Sequence, residues 1–142
     1  MIQVAGDPFA EAVLRVRVYY EDTDASAVAY HASYLRWMER GRTEWLRACG
    51  GDHTAFMKDQ GVAFTISQLE VRFRAPARLD DDLEVRTRAA RFRRASIDFV
   101  QTVLHDAQPL AEASVRVACV DAASFRPAAL PSTIVPQRNP RA

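Results

Sequence analysis

At 142 residues and 49% hydrophobic content, the chain suits one globular domain with its own core and is too short for two full ones. Nineteen basic against eighteen acidic residues leave a formal charge of +1, which excludes a whole-surface attraction to nucleic acid or an anionic membrane. No stretch approaches the roughly 18 to 20 apolar residues of a membrane span, and "MIQVAGDPFAEAV" lacks the charged-then-apolar order of a leader, so the expectation is a soluble, cytoplasmic protein.

The first predicted element is a strand. Val13, Leu14, Val16, Val18 and Tyr20 mostly alternate with Arg15, Arg17 and Tyr19, the period of a half-buried strand. Then comes "YYEDTDASAVAYHASY", which crowds Glu21, Asp22 and Asp24 into a junction and follows them with the small residues Ala25, Ser26, Ala27 and Ala29. From Ser33 the period changes. Tyr34, Trp37, Met38, Trp45, Leu46 and Cys49 recur at helical spacings with charged residues between them, which predicts one amphipathic helix of about four turns, stopped by Gly50-Gly51. Gly41 inside that helix costs roughly 0.5 to 1 kcal/mol relative to alanine, so a close approach to a neighbouring backbone is one reason for it and drift another. Glu39/Arg42 and Arg40/Glu44 are spaced for helix-surface ion pairs.

A second helix is expected over Asp52 to Gln60, ended by Gly61. Strand patterns follow in "AFTISQLEVRFRA", "LEVRTRA", "SIDFVQTVL" and "LAEASVRVACV", with a phase shift at Ser67-Gln68 that suggests a bulge. Turns fall at Pro76 to Asp82, at Arg93-Arg94 and at His105 to Pro109. Strands joined so closely pair antiparallel, so the expected class is α+β, one sheet packed against one central helix. A single domain covers 1–142, its core about 11–131; the tail from Ala123, with Pro127, Pro131, Pro136 and Pro140, reads as irregular or frayed.

Several chemistries drop out. There is no nucleophile elbow, phosphate-binding loop, dinucleotide fingerprint or metalloprotease helix. His31, His53 and His105 lie far apart without helical ligand partners, so no metal is expected; His53 reads as a helix-start surface residue and His105-Asp106 as a turn pair. Asp80 to Asp82 read as a solvated turn, and Cys49 and Cys119 as free thiols among apolar neighbours. Arg91, Arg93 and Arg94 suit either a soluble hairpin tip or a phosphate grip.

The junction concentrates the needs of acyl transfer. Asp24, ionised at neutral pH, suits attack on a carbonyl or proton removal from water. The first N–H groups of the helix beyond it lack internal acceptors and suit a developing oxyanion. Spacing alone equally allows Asp22, Thr23 and Asp24 to do no more than cap and turn the chain.

"YYEDTDASAVAYHASYLRWMERGRTEWLR" resembles the signature of hotdog-fold acyl-CoA thioesterases of the 4-hydroxybenzoyl-CoA thioesterase type, most of all the branch associated with the Tol-Pal envelope system. The likeness continues through "LEVRFRAPARLDDDLEVRTR" and "AEASVRVACVDAASFRPAALP", spanning roughly Arg15 to Pro131. It implies a curved antiparallel sheet around one long helix, homo-oligomerisation as dimers or dimers of dimers with sites at subunit interfaces, an acyl-CoA substrate and no cofactor. It also implies that Asp24 is the catalytic carboxylate and that His31 offers its backbone N–H to the thioester carbonyl, with its side chain part of the site. Ala27, Val28 and Tyr30 become candidate substrate-binding residues, and Arg91, Arg93 and Arg94 candidates for the CoA phosphates. Tyr20, Tyr30 and Tyr34 are expected as wall and core residues, and a peripheral link to cell-envelope proteins rests on the resemblance alone. Where relatives usually read Asp-Ala-Gly-Gly-Val-Val-Tyr-His, this chain reads "DASAVAYH", so Ser26 and Ala27 replace two glycines and Ala29 a valine. The alternatives are a hotdog dehydratase or hydratase acting on acyl thioesters, and a non-catalytic acyl-CoA-binding protein.

Overall fold

The apolar stripe does form one helix, α1 (His31–Ala48), and the computed structural model, which describes residues 8–136, wraps a five-stranded antiparallel sheet around it. In chain order come β1 (Ala12–Arg17), α1, α2 (His53–Gln60), β2 (Val62–Phe73), β3 (Asp82–Phe92), β4 (Ser96–His105) and β5 (Gln108–Asp121). The sheet order is β1-β3-β4-β5-β2, so β1 and β2 are its edges. This is the hotdog architecture that the resemblance implies. Among the described residues, no helix is long and apolar enough to cross a membrane.

Tyr34, Trp37, Met38, Trp45 and Leu46 bury the inner face of α1. They meet Leu83, Val85 and Thr87 of β3 and Ile97, Phe99, Gln101 and Val103 of β4, all buried at every second position. The Trp45 ring meets Phe99 edge-on at 4.9 Å. Each large side chain so buried is worth about 1.5–3 kcal/mol of apolar transfer. Gly41 marks the closest approach: a Cβ there would stand 2.7 Å from Thr87 Oγ1, 3.0 Å from Val85 Cγ1 and 3.1 Å from Gln101 Nε2.

A polar seam crosses this core. The fully buried Gln101 donates from Nε2 to the Met38 carbonyl and to Thr87 Oγ1, each at 2.8 Å, and its Oε1 accepts from Arg42 Nη1 at 3.0 Å. With every polar atom of its amide bonded, Gln101 avoids the cost of an unsatisfied buried group. Burial pushes the Arg42 guanidinium down from its usual pKa, against the opposing charge of Glu39. The expected surface pairs therefore give way: Arg42 turns to Gln101, Glu39 accepts from Thr43 Oγ1 at 2.7 Å, and Glu44 pairs with Arg47.

Three boundaries differ from expectation. β1 ends at Arg17 rather than Tyr20, because the Asp22 carboxylate takes the Tyr19 N–H at 2.8 Å and winds Tyr20–Asp22 into a 3₁₀ turn. α1 starts two residues before Ser33, at His31. The proline-rich segment packs instead of fraying as far as it is described: Leu130, Pro131 and Ile134 are buried, and Ile134 is fully enclosed within a 3₁₀ turn (Ser132–Ile134). Residues 137–142, including Pro140, lie outside the described residues.

The bulge expected in β2 is present, with register shifting between Ile66 and Gln68. Beyond it Leu69, Val71 and Phe73 pair with Val115, Ala113 and Ala111, and before it Ile66 pairs with Val117. Directly paired residues share a face. Ile66, Leu69 and Phe73 thus face the same side as the buried Val115 and Val117, yet they are 45%, 39% and 49% exposed, with α1 meeting this edge through the Tyr34 ring, 5.2 Å from that of Phe73.

Candidate active site

The junction between β1 and α1 is organised by Asp22, 94% removed from solvent. Its carboxylate accepts the Tyr19 N–H and lies 3.9 Å from Arg36 Nη2, while its carbonyl accepts the Tyr30 N–H at 2.7 Å and the Ser33 hydroxyl at 3.3 Å. One residue therefore ties the end of β1 to the start of α1. Asp22 thus caps and turns the chain, as spacing allowed, and Glu21 is exposed.

Asp24 stands on a small loop sprung from this anchor. Thr23 pairs with Ala29 across its base, the Asp24 N–H donates to the Val28 carbonyl at 3.1 Å, and the Ala27 N–H donates to the Asp24 carbonyl at 3.0 Å. Asp24 to Ala27 is thus a β-turn, and Ala27 lies at φ 64°, the left-handed region where a Cβ costs roughly 1–2 kcal/mol. Ala29 N–H donates to the Ala77 carbonyl at 2.8 Å and Val28 pairs with Arg78, which seats the loop on the turn before β3. The Asp24 carboxylate is exposed. Its Oδ1 accepts the Ser26 hydroxyl at 2.5 Å and the Ser26 N–H at 2.9 Å. The Ser26 hydroxyl first, then the Ser26 N–H, holds the Asp24 carboxyl below the usual carboxylate pKa.

Two residues past the loop, the chain enters α1 through Tyr30, an extended cap whose side chain bonds nothing at the helix start. The Ser33 N–H turns back to the Tyr30 carbonyl at 2.9 Å. Among the described residues, the N–H groups of His31 and Ala32 meet no acceptor, and the helix dipole adds positive potential there. The exposed His31 ring stacks at 4.2 Å from the Tyr30 ring and 6.2 Å from Phe73. No hydrogen bond or ion pair joins it to Asp24 among the described residues. Asp24, Ala27, Val28, Tyr30 and His31 thus share one rigid junction.

The tyrosines divide. Tyr34 is core, its hydroxyl accepting the Ala77 N–H at 2.8 Å, whereas Tyr20 and Tyr30 are 82% and 48% exposed because the 3₁₀ turn and the helix cap point them outward.

The arginines stand elsewhere. Arg91, Arg93 and Arg94 close β3 at the end opposite the turn that seats the Asp24 loop, and β3, eleven residues long, separates the two by about 30 Å at ~3.3 Å per residue. Arg93 Nη2 and Arg116 Nε each bond Asp98, both at 2.8 Å. Burial works to raise the Asp98 carboxyl, but the two guanidiniums outweigh it and hold that carboxyl below its ordinary value. Arg91 and Arg94 are exposed.

A cavity of about 560 Å³ opens between the second half of α1, α2 and β2. Its walls include Leu46, Met57, Phe64 and Ile66, and at its rim Thr43 Oγ1 links Glu39 to His53 Nε2, the latter at 3.1 Å. His53 is the helix-start residue expected, and it is also a wall of this cavity, which its sequence position could not signal because only the fold sets its ring beside Thr43 and Phe64. Arg78 was likewise invisible, since it reaches Val28 only through pairing of two irregular segments.

Residues 18–137 match the model of the thioesterase-like superfamily. An acyl-CoA thioester hydrolase, YbgC, of Escherichia coli is 47% identical over 121 residues, which cover 84% of this chain and 90% of that protein. The acyl-CoA thioesterase YbgC of Haemophilus influenzae is 41% identical over 119 residues, covering 84% and 88%. Among solved structures, a probable thioesterase from Bartonella henselae superposes with a TM-score of 0.82 at 36% identity, covering 86% of this chain and all of that one.

Proposed function

The chain belongs to the thioesterase-like superfamily, and on that footing we propose that it hydrolyses an acyl-CoA thioester to a free carboxylic acid and coenzyme A. The observation that carries this reading is the coupling made by Asp22: one buried residue holds an ionised carboxylate loop and a helix start with two unpartnered N–H groups in one junction.

The thioester carbonyl rests against the N–H groups of His31 and Ala32. As the carbonyl carbon becomes tetrahedral its oxygen takes negative charge, and donors already fixed in place stabilise that charge without reorganising. Loss of one such donor costs about 10²- to 10³-fold in rate in comparable sites. Asp24 supplies the anionic oxygen. It attacks the carbonyl to form a mixed anhydride that water then opens, or it takes the proton of the attacking water; either way the carbon–sulfur bond breaks, the thiolate of CoA leaves and water supplies the acid oxygen. Ala27, Val28 and Tyr30 border the approach, and the His31 ring, held between Tyr30 and Phe73, walls the other side. Thiolate is a fair leaving group, so His31 need not protonate it.

The working form is a homo-oligomer. Ile66, Leu69 and Phe73 form an apolar stripe on an edge strand, a surface suited to a second copy of the chain. Arg91 and Arg94, exposed at the end of β3 far from Asp24 of their own chain, are the arginines suited to CoA phosphates in a site completed by another subunit, whereas Arg93 is committed to Asp98.

Steady-state thiol release over short, long and aromatic acyl-CoAs tests the reading. Conversion of a β-hydroxyacyl-CoA without thiol release would replace it with a dehydratase, and binding without turnover across the panel would replace it with a binding protein.

A further inference from the structure

We propose that Ser26 is a positioning residue that fixes the Asp24 carboxylate and leaves Oδ2 as its working oxygen, an inference that rests on the hydrolase reading. The two donors of Ser26, its hydroxyl at 2.5 Å and its N–H at 2.9 Å, converge on the same oxygen, Oδ1. No described residue bonds Oδ2. The backbone beneath is held as well, because Asp24 is bonded at both its N–H and its carbonyl inside the loop. A carboxylate gripped at one oxygen loses most of its freedom about the last side-chain torsion, so its second oxygen meets the thioester carbon or the water in one orientation.

The grip also sets the charge. Donors to the ionised form favour it, so Asp24 stays an anion at pH values where an ungripped carboxyl starts to take a proton. A serine hydroxyl beside a carboxylate also raises the prospect of Ser26 as nucleophile with Asp24 as its base. The two roles separate experimentally. A positioning hydroxyl is dispensable at a cost and replaceable by threonine, whereas a nucleophile is indispensable and becomes acylated.

The experiment compares the full chain with Ser26→Ala and Ser26→Thr, using the carboxyl ¹³C titration of Asp24, assigned by its loss in Asp24→Asn, beside thiol release from an accepted acyl-CoA. In the wild type the Asp24 midpoint lies below the ordinary value of about 4. In Ser26→Ala it moves up and kcat falls about tenfold with KM within about twofold, the remaining N–H preserving part of the grip; Ser26→Thr restores both. An Asp24 midpoint that is the same in wild type and Ser26→Ala overturns the inference whether or not the protein turns over acyl-CoA. Unchanged kcat in Ser26→Ala beside an active wild type overturns Ser26's role and leaves the hydrolase reading standing. An acyl group trapped on Ser26, with Ser26→Ala inactive, also overturns it in favour of a serine nucleophile. Absence of thiol release by the wild type across the whole panel removes the hydrolase reading and the positioning role with it.

Discussion

Gly41→Ala tests how tightly the central helix is seated. The added Cβ would lie 2.7 Å from Thr87 Oγ1, 3.0 Å from Val85 Cγ1 and 3.1 Å from Gln101 Nε2. None of the three yields easily. Thr87 and Gln101 are fully buried and bonded to each other, and Val85 is fully buried in the core. Overpacking of this kind costs about 1–3 kcal/mol. Displacing Gln101 from the Met38 carbonyl adds about 1–3 kcal/mol for an unsatisfied buried group. Against these stands the alanine's advantage in a helix interior, about 0.5–1 kcal/mol. The net expectation is a loss of about 2 kcal/mol or more, which for a domain of this size lowers Tm by roughly 6 °C. Urea unfolding at one fixed protein concentration, so that association contributes equally, should show a lower midpoint with an unchanged slope. A midpoint at or above the wild-type value would mean that the helix rides high enough for a methyl group, and the close seating of α1 on β3 would be wrong.

Asp24→Asn, which keeps the shape and removes the charge, should lower kcat/KM for acyl-CoA by at least about 10³-fold while far-UV circular dichroism stays native, since it removes the group proposed to react. Because the Asp24 carboxyl is held below its usual pKa, wild-type kcat/KM should be flat through neutrality and fall only as pH drops through a midpoint below about 4; an acid limb near 6 would assign the essential group elsewhere. Asp22→Ala should cost about 1–3 kcal/mol in urea unfolding, and it should lower kcat as well because the loop and the helix start lose their common anchor. Ala27→Gly relieves a left-handed residue at the expense of a more flexible unfolded chain, so thermal unfolding should shift by no more than about 1 kcal/mol, towards stability. Arg91→Gln with Arg94→Gln should raise KM for CoA esters well above any change for thioesters of a truncated thiol; equal changes would remove the phosphate contact.

Local periodicity made most of the fold legible before any coordinates. The inner stripe of α1, the alternation of Leu83, Val85 and Thr87 and the bulge at Ser67-Gln68 each depend on spacing within one segment, and each was read from it; at Gly41 the sequence left close approach and drift both open, and the approach is to side chains of β3 and β4 rather than to a backbone. What spacing could not show depended on partners distant in the chain. Arg42 was expected to meet Glu39, three residues away, and instead turns to Gln101 on β4, because a buried amide with a free acceptor outweighs a solvated ion pair. Ile134 lies in a proline-rich tail that no pattern marks as core, and it is enclosed because the tail folds back over the sheet. At the junction, the acid and the helix start were legible from their chemistry, and the departure at Ser26 and Ala27 was visible as a substitution. That Ser26 would fill the place of a glycine with a hydroxyl aimed at Asp24, and that Ala27 would accept a backbone region glycine normally occupies, needed the turn itself.

The bulge in β2 has a further effect, on parity. Along an unbroken strand, Ile66 and Leu69, three residues apart, would point to opposite faces. The one extra residue at Ser67 resets the count, so Phe64, Ile66, Leu69, Val71 and Phe73 all fall in phase with the inward-facing residues of β5. Deleting Ser67 would not shorten the strand so much as invert its outer half. Either Glu70 and Arg72 would turn towards the core side and Phe73 away from the His31 ring, or the hydrogen-bond ladder to β5 would slip to prevent it. A single uncounted residue on the sheet edge thus keeps Phe73 in register with the first turn of α1.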